Sequence, residues 1–379
     1  MIKNIKYVPI IKTGDAEFRA VANLDKDLKS KFIPLFELTR GRKSKNDKTG
    51  EIRKRLDSLK KSYANFPFIL DLTGEPELKN DEIINLYSNN NNYENWVKFC
   101  IEQKKELGSF YPVVQIQEEE NYDDYIKKLT EQIRLLLSEN FGYVVFRSQD
   151  EEFSENLIED IETIIKSKQI EKIEEKIIFV LDYQYIVNSV SGIENAVSFI
   201  NALEKLNIKN IVIASTSFPA TVSEHMRDNY IALPIKERDF FNEIQKQASK
   251  KNINLIYGDY ASINPKRNDT VTFAKGWIPR IDVPSKDMNI HSRRKRRDKT
   301  KEVVNNKIEE VFVSYKETYN ELAQEVVSQN YFKNILKFNC WGINEIIKTS
   351  YGNVSGSSPR FWISVRMDIY INLIVNTIY

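Results

Sequence analysis

The chain has 379 residues, of which 41% are hydrophobic and 29% are charged, and these proportions are ordinary for a protein that buries a large core. Its 56 Lys and Arg residues nearly balance its 54 Asp and Glu residues, which gives a formal net charge of +2. This balance excludes a nucleic-acid partner that is held by overall charge, so any such interaction must be local.

Cysteine and histidine are too few for a zinc-thiolate site. The two cysteines and two histidines show no metal-ligand spacing along the chain: Cys100, Cys340, His225 and His291. Low cysteine content also predicts a reducing compartment without disulfides. No uncharged apolar segment reaches the roughly 18 residues needed to cross a bilayer, and no signal peptide is recognisable. We therefore expect a soluble, cytoplasmic protein with no membrane partner and no haem, flavin or zinc-thiolate site.

Short apolar runs, each closed by a polar residue, recur through the first two-thirds of the chain. A run that is apolar at every position is typical of a strand covered on both faces, as in a parallel sheet. Charged segments of helical period lie between these runs, so strand and helix alternate. This alternation predicts an α/β fold, a (β/α)8 TIM-type barrel. The predicted strands are 7–12, 33–37, 66–71, 111–117, 143–147, 177–182, 210–215 and 253–260.

The composition changes after the last of these strands. We assign residues 1–265 to the barrel. Residues 266–300 lack a long apolar period and contain a run of arginines, so we predict a basic connecting segment. Helical pattern returns from residue 301, and residues 361–378 form an apolar terminal helix that cannot stand alone in water. Residues 301–379 are therefore predicted to be a C-terminal helical subdomain packed on the barrel.

Polar residues at the strand ends are predicted to share one rim of the barrel. Side chains alternate along a strand, so one face of each strand points into the barrel, and barrel enzymes carry their chemistry at the carboxyl ends of the strands. The residues expected at this rim are Lys12, Glu37, Asp71, Gln115, Gln117, Arg147, Asp182, Ser215 and Asp259.

Carboxylates that face one cavity repel one another unless cations compensate them. Four carboxylates are candidate catalytic groups: Glu37, Asp71, Asp182 and Asp259. Lys12 and Arg147 are predicted to hold an anionic substrate, with Gln115, Gln117 and Ser215 as further substrate contacts. The excess negative charge leaves room for a divalent metal, magnesium or manganese, on Asp71, Asp182 and Asp259. The alternative interpretation is an internal salt-bridge network that only satisfies the strand ends.

A basic cluster lies in the connecting segment and consists of Arg293, Arg294, Arg296 and Arg297. It is a candidate nucleic-acid contact or a solvated basic loop. No aromatic residue interleaves the cluster in the sequence, and a stacking platform for single strands needs one. The sequence therefore favours the loop.

Several short motifs resemble the Beta protein family, whose members occur in bacteria and phages. They are Tyr7-x-Pro9-x-x-Lys12 followed by Glu17, Pro34-Leu35-Phe36-Glu37, Gly258-Asp259-Tyr260, Cys340-Trp341-Gly342 and Phe361-Trp362. The resemblance implies that Lys12, Glu17, Glu37 and Asp259 are the positions most worth testing, and it implies an association with anti-phage defence. The chain departs from the family pattern after Asp282, where a Trp and an Arg-Gly pair are expected.

Two hypotheses about function follow. In the first, the barrel mouth binds or acts on a phosphate-bearing ligand, a nucleotide or nucleic acid, as a metal-dependent hydrolase of phosphate esters would. In the second, the chain is a non-catalytic binding or regulatory component of a defence assembly, with a defence-system protein as its partner.

Overall fold

The structure is a computed structural model that describes residues 2–45, 47–188, 190, 192–248, 252–266, 276–304 and 307–378. The chain divides into two compact units. The barrel unit comprises residues 1–14, 26–217 and 236–260, and the second unit comprises residues 15–25, 218–235 and 261–379. The division therefore differs from the three consecutive segments expected from composition, because two segments from the first 235 residues belong to the second unit.

The strands of the described residues are, in chain order, β1 (Tyr7–Lys12), β2 (Leu35–Leu38), β3 (Phe68–Leu72), β4 (Phe110–Pro112), β5 (Val144–Ser148), β6 (Ile177–Tyr185), β7 (Asn210–Thr216), β8 (Tyr230–Pro234), β9 (Asn254–Asp259), β10 (Arg280–Ser285), β11 (Asn289–Arg294), β12 (Lys299–Val304) and β13 (Lys307–Phe312). The helices are α1 (Asp15–Asn23), α2 (Lys26–Lys29), α3 (Arg53–Tyr63), α4 (Asp81–Leu86), α5 (Glu94–Leu107), α6 (Tyr122–Ser138), α7 (Glu151–Ser167), α8 (Ile193–Lys205), α9 (Val222–His225), α10 (Lys236–Ala248), α11 (Tyr315–Val327), α12 (Asn330–Lys333), α13 (Trp341–Ser350) and α14 (Pro359–Ile378).

The barrel unit is built on an eight-stranded parallel sheet. Its strand order is β4-β3-β2-β1-β9-β7-β6-β5, and every neighbouring pair runs parallel. The two edges meet where Val113 bridges Val145 in parallel, and the Val114 N–H donates to the Val145 carbonyl at 2.8 Å. The predicted (β/α)8 TIM-type barrel is confirmed, and each predicted apolar run overlaps one of its strands.

Apolar side chains from alternate positions fill the interior of the barrel. The strand register places Ile10 beside Leu35, and Leu35 beside Ile69, so these side chains form one layer. Val180 and Val212 are also register partners and belong to the same buried cluster. The other face of each strand is covered by helices such as α7, whose Ile161 is fully buried. Burial on both faces explains why the strands are continuous apolar runs in the sequence.

Polar residues fix where the barrel helices begin. The Asn121 side chain accepts a hydrogen bond from the Asp124 N–H at the start of α6, and the Asp150 side chain accepts one from the Phe153 N–H at the start of α7. Such caps satisfy backbone donors that have no partner within the helix. The chain direction at the carboxyl end of β5 is therefore set by a local sequence signal.

The second unit contains a three-stranded antiparallel sheet, β10-β11-β8, and a hairpin of β12 and β13. The prediction of a connecting segment over residues 266–300 is therefore wrong where the structure describes it, since β10, β11 and the start of β12 fall there; residues 267–275 lie outside the described residues. Ile281, Val283 and Ile290 are buried. The strand pattern was hidden because charged residues occupy many intervening positions.

The helical prediction from residue 301 is also wrong at its start. Residues 301–312 belong mostly to the β12 and β13 hairpin, and the first helix of this region is α11. Val303, Val304 and Ile308 are β-branched, which favours strands. The terminal helix was predicted well, because α14 spans Pro359–Ile378. None of the described helices has both the length and the apolar character that crossing a membrane requires.

Helices α13 and α14 pack closely around a buried carboxylate. A Cβ added at Gly342 would lie 2.5 Å from the Val365 carbonyl oxygen, so this contact requires glycine. The Gly342 N–H donates to Asp368 Oδ1 at 2.7 Å. Burial raises the pKa of Asp368 to about 7, although hydrogen bonds from Cys340 and the Gly342 backbone act in the opposite direction.

We predict that Asp368→Asn stabilises the protein in a pH-dependent manner. The folded-state pKa of Asp368 lies above its ordinary value of 3.8, so native stability falls as pH rises between those two values. Asparagine keeps an acceptor for the Gly342 N–H without the buried charge. The free energy of unfolding should increase at about pH 8 by up to about 4 kcal/mol, and by less than half of that at about pH 5.

Denaturant titrations at the two pH values measure this difference. Asp57→Asn is a matched control, because the Asp57 side chain is exposed and pairs with Arg53 on the surface; it should change stability by no more than about 0.5 kcal/mol. Equal destabilisation by Asp368→Asn at both pH values would contradict the prediction.

Candidate functional site

Six inward-facing side chains meet at the carboxyl ends of the barrel strands. They are joined by hydrogen bonds and ion pairs, and each is at most 9% exposed. Parallel register aligns Lys12 with Glu37, and Glu37 with Asp71, at one level of the barrel. We call this set the barrel-end network; its members are Lys12, Glu37, Asp71, Arg147, Asp182 and Tyr260.

Arg147 is the centre of the network. Its Nη1 donates to Glu37 Oε1 and Asp71 Oδ2, both at 2.8 Å. Its Nη2 donates to Asp182 Oδ2 at 2.7 Å and to Tyr260 Oη at 3.2 Å, while Nε donates to Asp182 Oδ2 at 3.0 Å. A guanidinium has five N–H donors. All five are therefore used, and Arg147 binds three carboxylates at once.

Lys12 is held differently from Arg147. Its ammonium donates to Glu37 Oε2 at 2.5 Å, and this is its one hydrogen bond among the described residues. An ammonium has three N–H donors, so Lys12 has donors to spare. The Tyr260 hydroxyl donates to Asp182 Oδ2 at 2.6 Å, and the exposed Gln149 side chain reaches the same oxygen at 3.3 Å.

The charges of the network do not cancel. Two cations face three carboxylates, so the network has a formal charge of −1 when all three carboxyls are ionised and Tyr260 is neutral. Burial opposes ionisation of Glu37, but Lys12 and Arg147 outweigh it and lower the pKa of Glu37 to about 2. For Asp71 the balance is reversed, because burial raises its pKa above the ordinary value in spite of Arg147. Of these two carboxyls, Asp71 is the one that accepts a proton more readily.

Gln115 lies beside Asp71. Gln115 Nε2 donates to Asp71 Oδ1 at 3.4 Å, and the backbone of Gln115 exchanges two hydrogen bonds with the Gln132 side chain. This pairing fixes the chain just beyond β4. Gln117, which was predicted as a substrate contact, is half-buried, and its backbone N–H donates to the Tyr93 hydroxyl at 3.0 Å.

The predicted inward orientation is wrong for Asp259 and Ser215. The apolar side chains that fill the barrel interior include Ala214 and Tyr260, and Gly258 is the register partner of Ala214. Alternation then turns the odd-numbered positions of β7 and β9 away from the barrel interior. Asp259 instead accepts a hydrogen bond from the Tyr7 hydroxyl at 2.8 Å, on the face where Tyr257 packs against Phe241 of α10.

The proposed metal ligands are consequently not gathered. Asp71 and Asp182 both bind Arg147, whereas Asp259 lies on the helix-covered face of the sheet. No group of three or more His, Cys, Asp or Glu side chains in the described part of the chain is arranged to hold a metal ion. Asp259 instead has a carboxyl neighbour, Glu237 of α10, whose pKa burial raises to about 7.

The four arginines of the basic cluster are in the second unit and have different environments. Arg293 lies over the Tyr230 ring at 5.1 Å and pairs with Glu325 at 3.6 Å. Arg294 donates to the Met226 carbonyl at 3.2 Å. Arg297 lies over two aromatic rings, those of Phe312 and Tyr315, whereas Arg296 is exposed. Aromatic partners therefore exist, although they come from other parts of the chain.

Sequence reasoning missed Tyr260 and Gln149. The signal for Tyr260 is Gly258, where an added Cβ would lie 2.9 Å from the Ala214 Cβ. Close packing inside the barrel requires glycine at position 258, so this position faces inward. Alternation along the strand then places Tyr260 on the same inner face. Gln149 follows β5 in a loop, and nothing in its local sequence indicates that its side chain turns back to Asp182.

The positions that the family resemblance points to are in three environments. Lys12 and Glu37 are bonded to each other in the barrel-end network, and Asp259 lies on the opposite face of the sheet. Glu17 is buried on α1, which is part of the second unit. The structure therefore does not place these four residues in a single cluster.

Comparisons with known proteins agree with the resemblance. A family model described as Beta protein matches residues 7–376. Protein beta of Enterobacteria phage P4 is 27% identical over 377 residues, which cover 98% of this chain and 93% of that protein. A solved psychrophilic glycoside hydrolase family 10 endo-beta-1,4-xylanase covers 69% of this chain and 86% of its own at 10% identity, and its TM-score of 0.36 is too low to support an argument. The family match spans nearly the whole chain, and the chain belongs to the Beta protein family.

Proposed function

We propose that the chain binds a small phosphate-bearing ligand at the carboxyl end of its barrel, with Lys12 as the direct contact. The observation that supports this proposal is the donor count of the two buried cations. Arg147 donates all five of its N–H groups within the network, whereas Lys12 donates one to any residue that the structure describes. An anionic oxygen can therefore bind Lys12 without displacing a carboxylate.

Arg147 has a different role in this proposal from the one expected from sequence. An anion could reach its guanidinium only by releasing a carboxylate, and an uncompensated buried charge is costly. Arg147 instead acts as a positioning residue that holds Glu37, and through Glu37 it orients the Lys12 ammonium.

Asp71 links ligand binding to a proton. The network already has an excess negative charge, and a phosphate group adds more. The group that can relieve this repulsion is Asp71, because burial raises its pKa and a bound anion raises it further. Binding is therefore proposed to take up a proton on Asp71.

We predict that Lys12→Met weakens binding of ATP and of inorganic phosphate by about 10- to 100-fold. The reason is the loss of one hydrogen bond between charged groups, which is worth about 1.5–3 kcal/mol. Isothermal titration calorimetry of the full chain measures this change.

Two variants make the Lys12 test specific. Lys54→Met removes another lysine that is paired with a carboxylate, but Lys54 is on the surface beside Asp47, and binding should be unchanged. Arg147→Met should instead destabilise the fold, by about 3–5 kcal/mol, because it leaves buried carboxylates without their cation. Unchanged affinity in Lys12→Met, or an absence of binding by the unmodified chain, would contradict the proposal.

We also predict that affinity for cyclic AMP decreases as pH rises from about 5 to 8. The phosphodiester keeps one charge over this range, so the dependence reports the protein. Binding should release different heats in buffers of different ionisation enthalpy, which reveals the proton taken up. Asp71→Asn should remove both effects, and a pH dependence that persists in this variant would assign the proton to another group.

A second candidate function is hydrolysis of the bound phosphate ester with Asp71 as general acid. The observation that favours it is that Arg147 binds two carboxyls whose pKa values are shifted in opposite directions: the pKa of Glu37 is lowered and that of Asp71 is raised. In many enzymes, one carboxyl of such a pair acts as the acid and the other as the base. Release of phenol from phenyl phosphate, whose leaving oxygen needs a proton, should then fall at least about 100-fold in Asp71→Asn. Equal rates in the unmodified chain and in Asp71→Asn would contradict hydrolysis by Asp71 and leave ligand binding as the proposed function.

The anti-phage setting and a defence-system partner stay predictions of the family resemblance.

A further inference from the structure

A tyrosine, a histidine and an aspartate form a hydrogen-bonded chain in the second unit, outside the barrel-end network. Antiparallel pairing places Tyr230 of β8 opposite Arg293 of β11, and His291 is two residues before Arg293 on the same face. Residues two apart on a strand share a face. Tyr230 and His291 are therefore diagonal neighbours across the strand pair.

The hydrogen bonds among Tyr230, His291 and Asp287 determine which nitrogen of the imidazole carries the proton. Tyr230 Oη is 2.8 Å from His291 Nδ1, and His291 Nε2 is 3.0 Å from Asp287 Oδ2. A carboxylate can only accept, so Nε2 carries the proton, and in the neutral ring Nδ1 is then an acceptor. The Tyr230 hydroxyl consequently donates to Nδ1. This is the order of a nucleophile, its base and a group that orients the base.

The surroundings hold the imidazole in place and leave the tyrosine accessible. The Tyr331 ring stacks on His291 with a centroid distance of 4.0 Å and an angle of 4°. His291 is buried at 6% exposure, whereas Tyr230 is 41% exposed. A buried, oriented base next to an exposed hydroxyl is the arrangement that covalent catalysis requires.

A cation lies next to the hydroxyl-bearing ring. The Arg293 guanidinium is 5.1 Å from the Tyr230 ring centroid, and its ion pair with Glu325 is long at 3.6 Å. A guanidinium beside a nucleophile favours an anionic electrophile and stabilises phenolate character. Among anionic electrophiles, phosphodiesters match the planar donors of arginine.

We propose that Tyr230, His291 and Asp287 form a catalytic relay in which Tyr230 attacks the phosphorus atom of a phosphodiester. A bond forms between Tyr230 Oη and phosphorus, and the bond from phosphorus to the leaving oxygen breaks with its electron pair. The phenolic proton passes to His291 Nδ1, which can later return it to the leaving oxygen. Arg293 binds a non-bridging oxygen, and Asp287 is a positioning residue that stabilises the imidazolium.

The protonation states agree with these roles. Burial lowers the pKa of His291, although Asp287 opposes this, so the ring is neutral and able to act as a base at neutral pH. Burial raises the pKa of Tyr230, with Arg293 acting in the opposite direction. Tyr230 is therefore protonated at rest and needs the base. The groups that face His291 are Tyr230, Tyr331, Asp287 and, beyond Tyr230, Arg293.

Incubation of the full chain with bis(p-nitrophenyl) phosphate and, separately, with an aryl sulfonyl fluoride tests the proposal. The expected result is one equivalent of p-nitrophenolate per chain in a burst, with a p-nitrophenyl phosphoryl group on Tyr230 found by peptide mass spectrometry. His291→Gln should slow this labelling by about 100-fold, the contribution typical of a general base. Asp287→Asn should slow it and move the midpoint of the pH–rate profile to lower pH, because the carboxylate raises the pKa of His291.

Tyr122→Phe is the matched control. Tyr122 is 51% exposed and donates to Asp160 at 2.9 Å, but no histidine contacts its hydroxyl among the described residues; this variant should label as the unmodified chain does. Tyr230→Phe should abolish labelling. Modification of Tyr230 by the sulfonyl fluoride but not by the phosphodiester would overturn the assignment to phosphoryl transfer. No modification of Tyr230 by either reagent would overturn the relay itself. The proposal does not depend on ligand binding in the barrel.

Discussion

The contact on which the barrel-end site depends is the sharing of one guanidinium among three carboxylates. Arg147 reaches Glu37, Asp71 and Asp182, which come from three different strands. Desolvating charges is expensive, and apolar side chains of similar size often stabilise a fold equally well. A buried network of this kind is therefore weak evidence for stability alone. Its position at the carboxyl ends of barrel strands, where function concentrates, gives it significance.

The barrel itself could be predicted from sequence because each strand is buried on both faces and leaves a continuous apolar run. The polar residues that close the runs were visible for the same reason: Arg147 binds three of them, Glu37, Asp71 and Asp182, and Lys12 joins the network through Glu37. Orientation could not be predicted at β9, because Ile256 and Tyr257 are both apolar and both buried. Only the packing of Gly258 against Ala214 decides which of the two faces points inward.

The second unit was harder to predict for a different reason. Its β11 strand carries Arg293 and Arg294 at its end, and its neighbour β8 comes from a segment about sixty residues earlier in the chain. Local composition therefore suggested a basic loop, while the pairing partners that make it a strand are distant in sequence. The aromatic contacts of Arg293 and Arg297 also come from residues outside the cluster. Such relations depend on tertiary structure and leave no short-range pattern.

Helices α1 and α14 both belong to the second unit and pack against each other, yet they are far apart in the sequence. Arg360 at the start of α14 pairs with Asp15 at the start of α1 across 345 residues of sequence. The apolar side of α1, including Phe18 and Val21, is buried in the finished protein. Contacts this distant along the chain form late and slowly. During translation the apolar surface of α1 must therefore wait for α14, and a product terminated before α14 would expose that surface to aggregation and proteolysis.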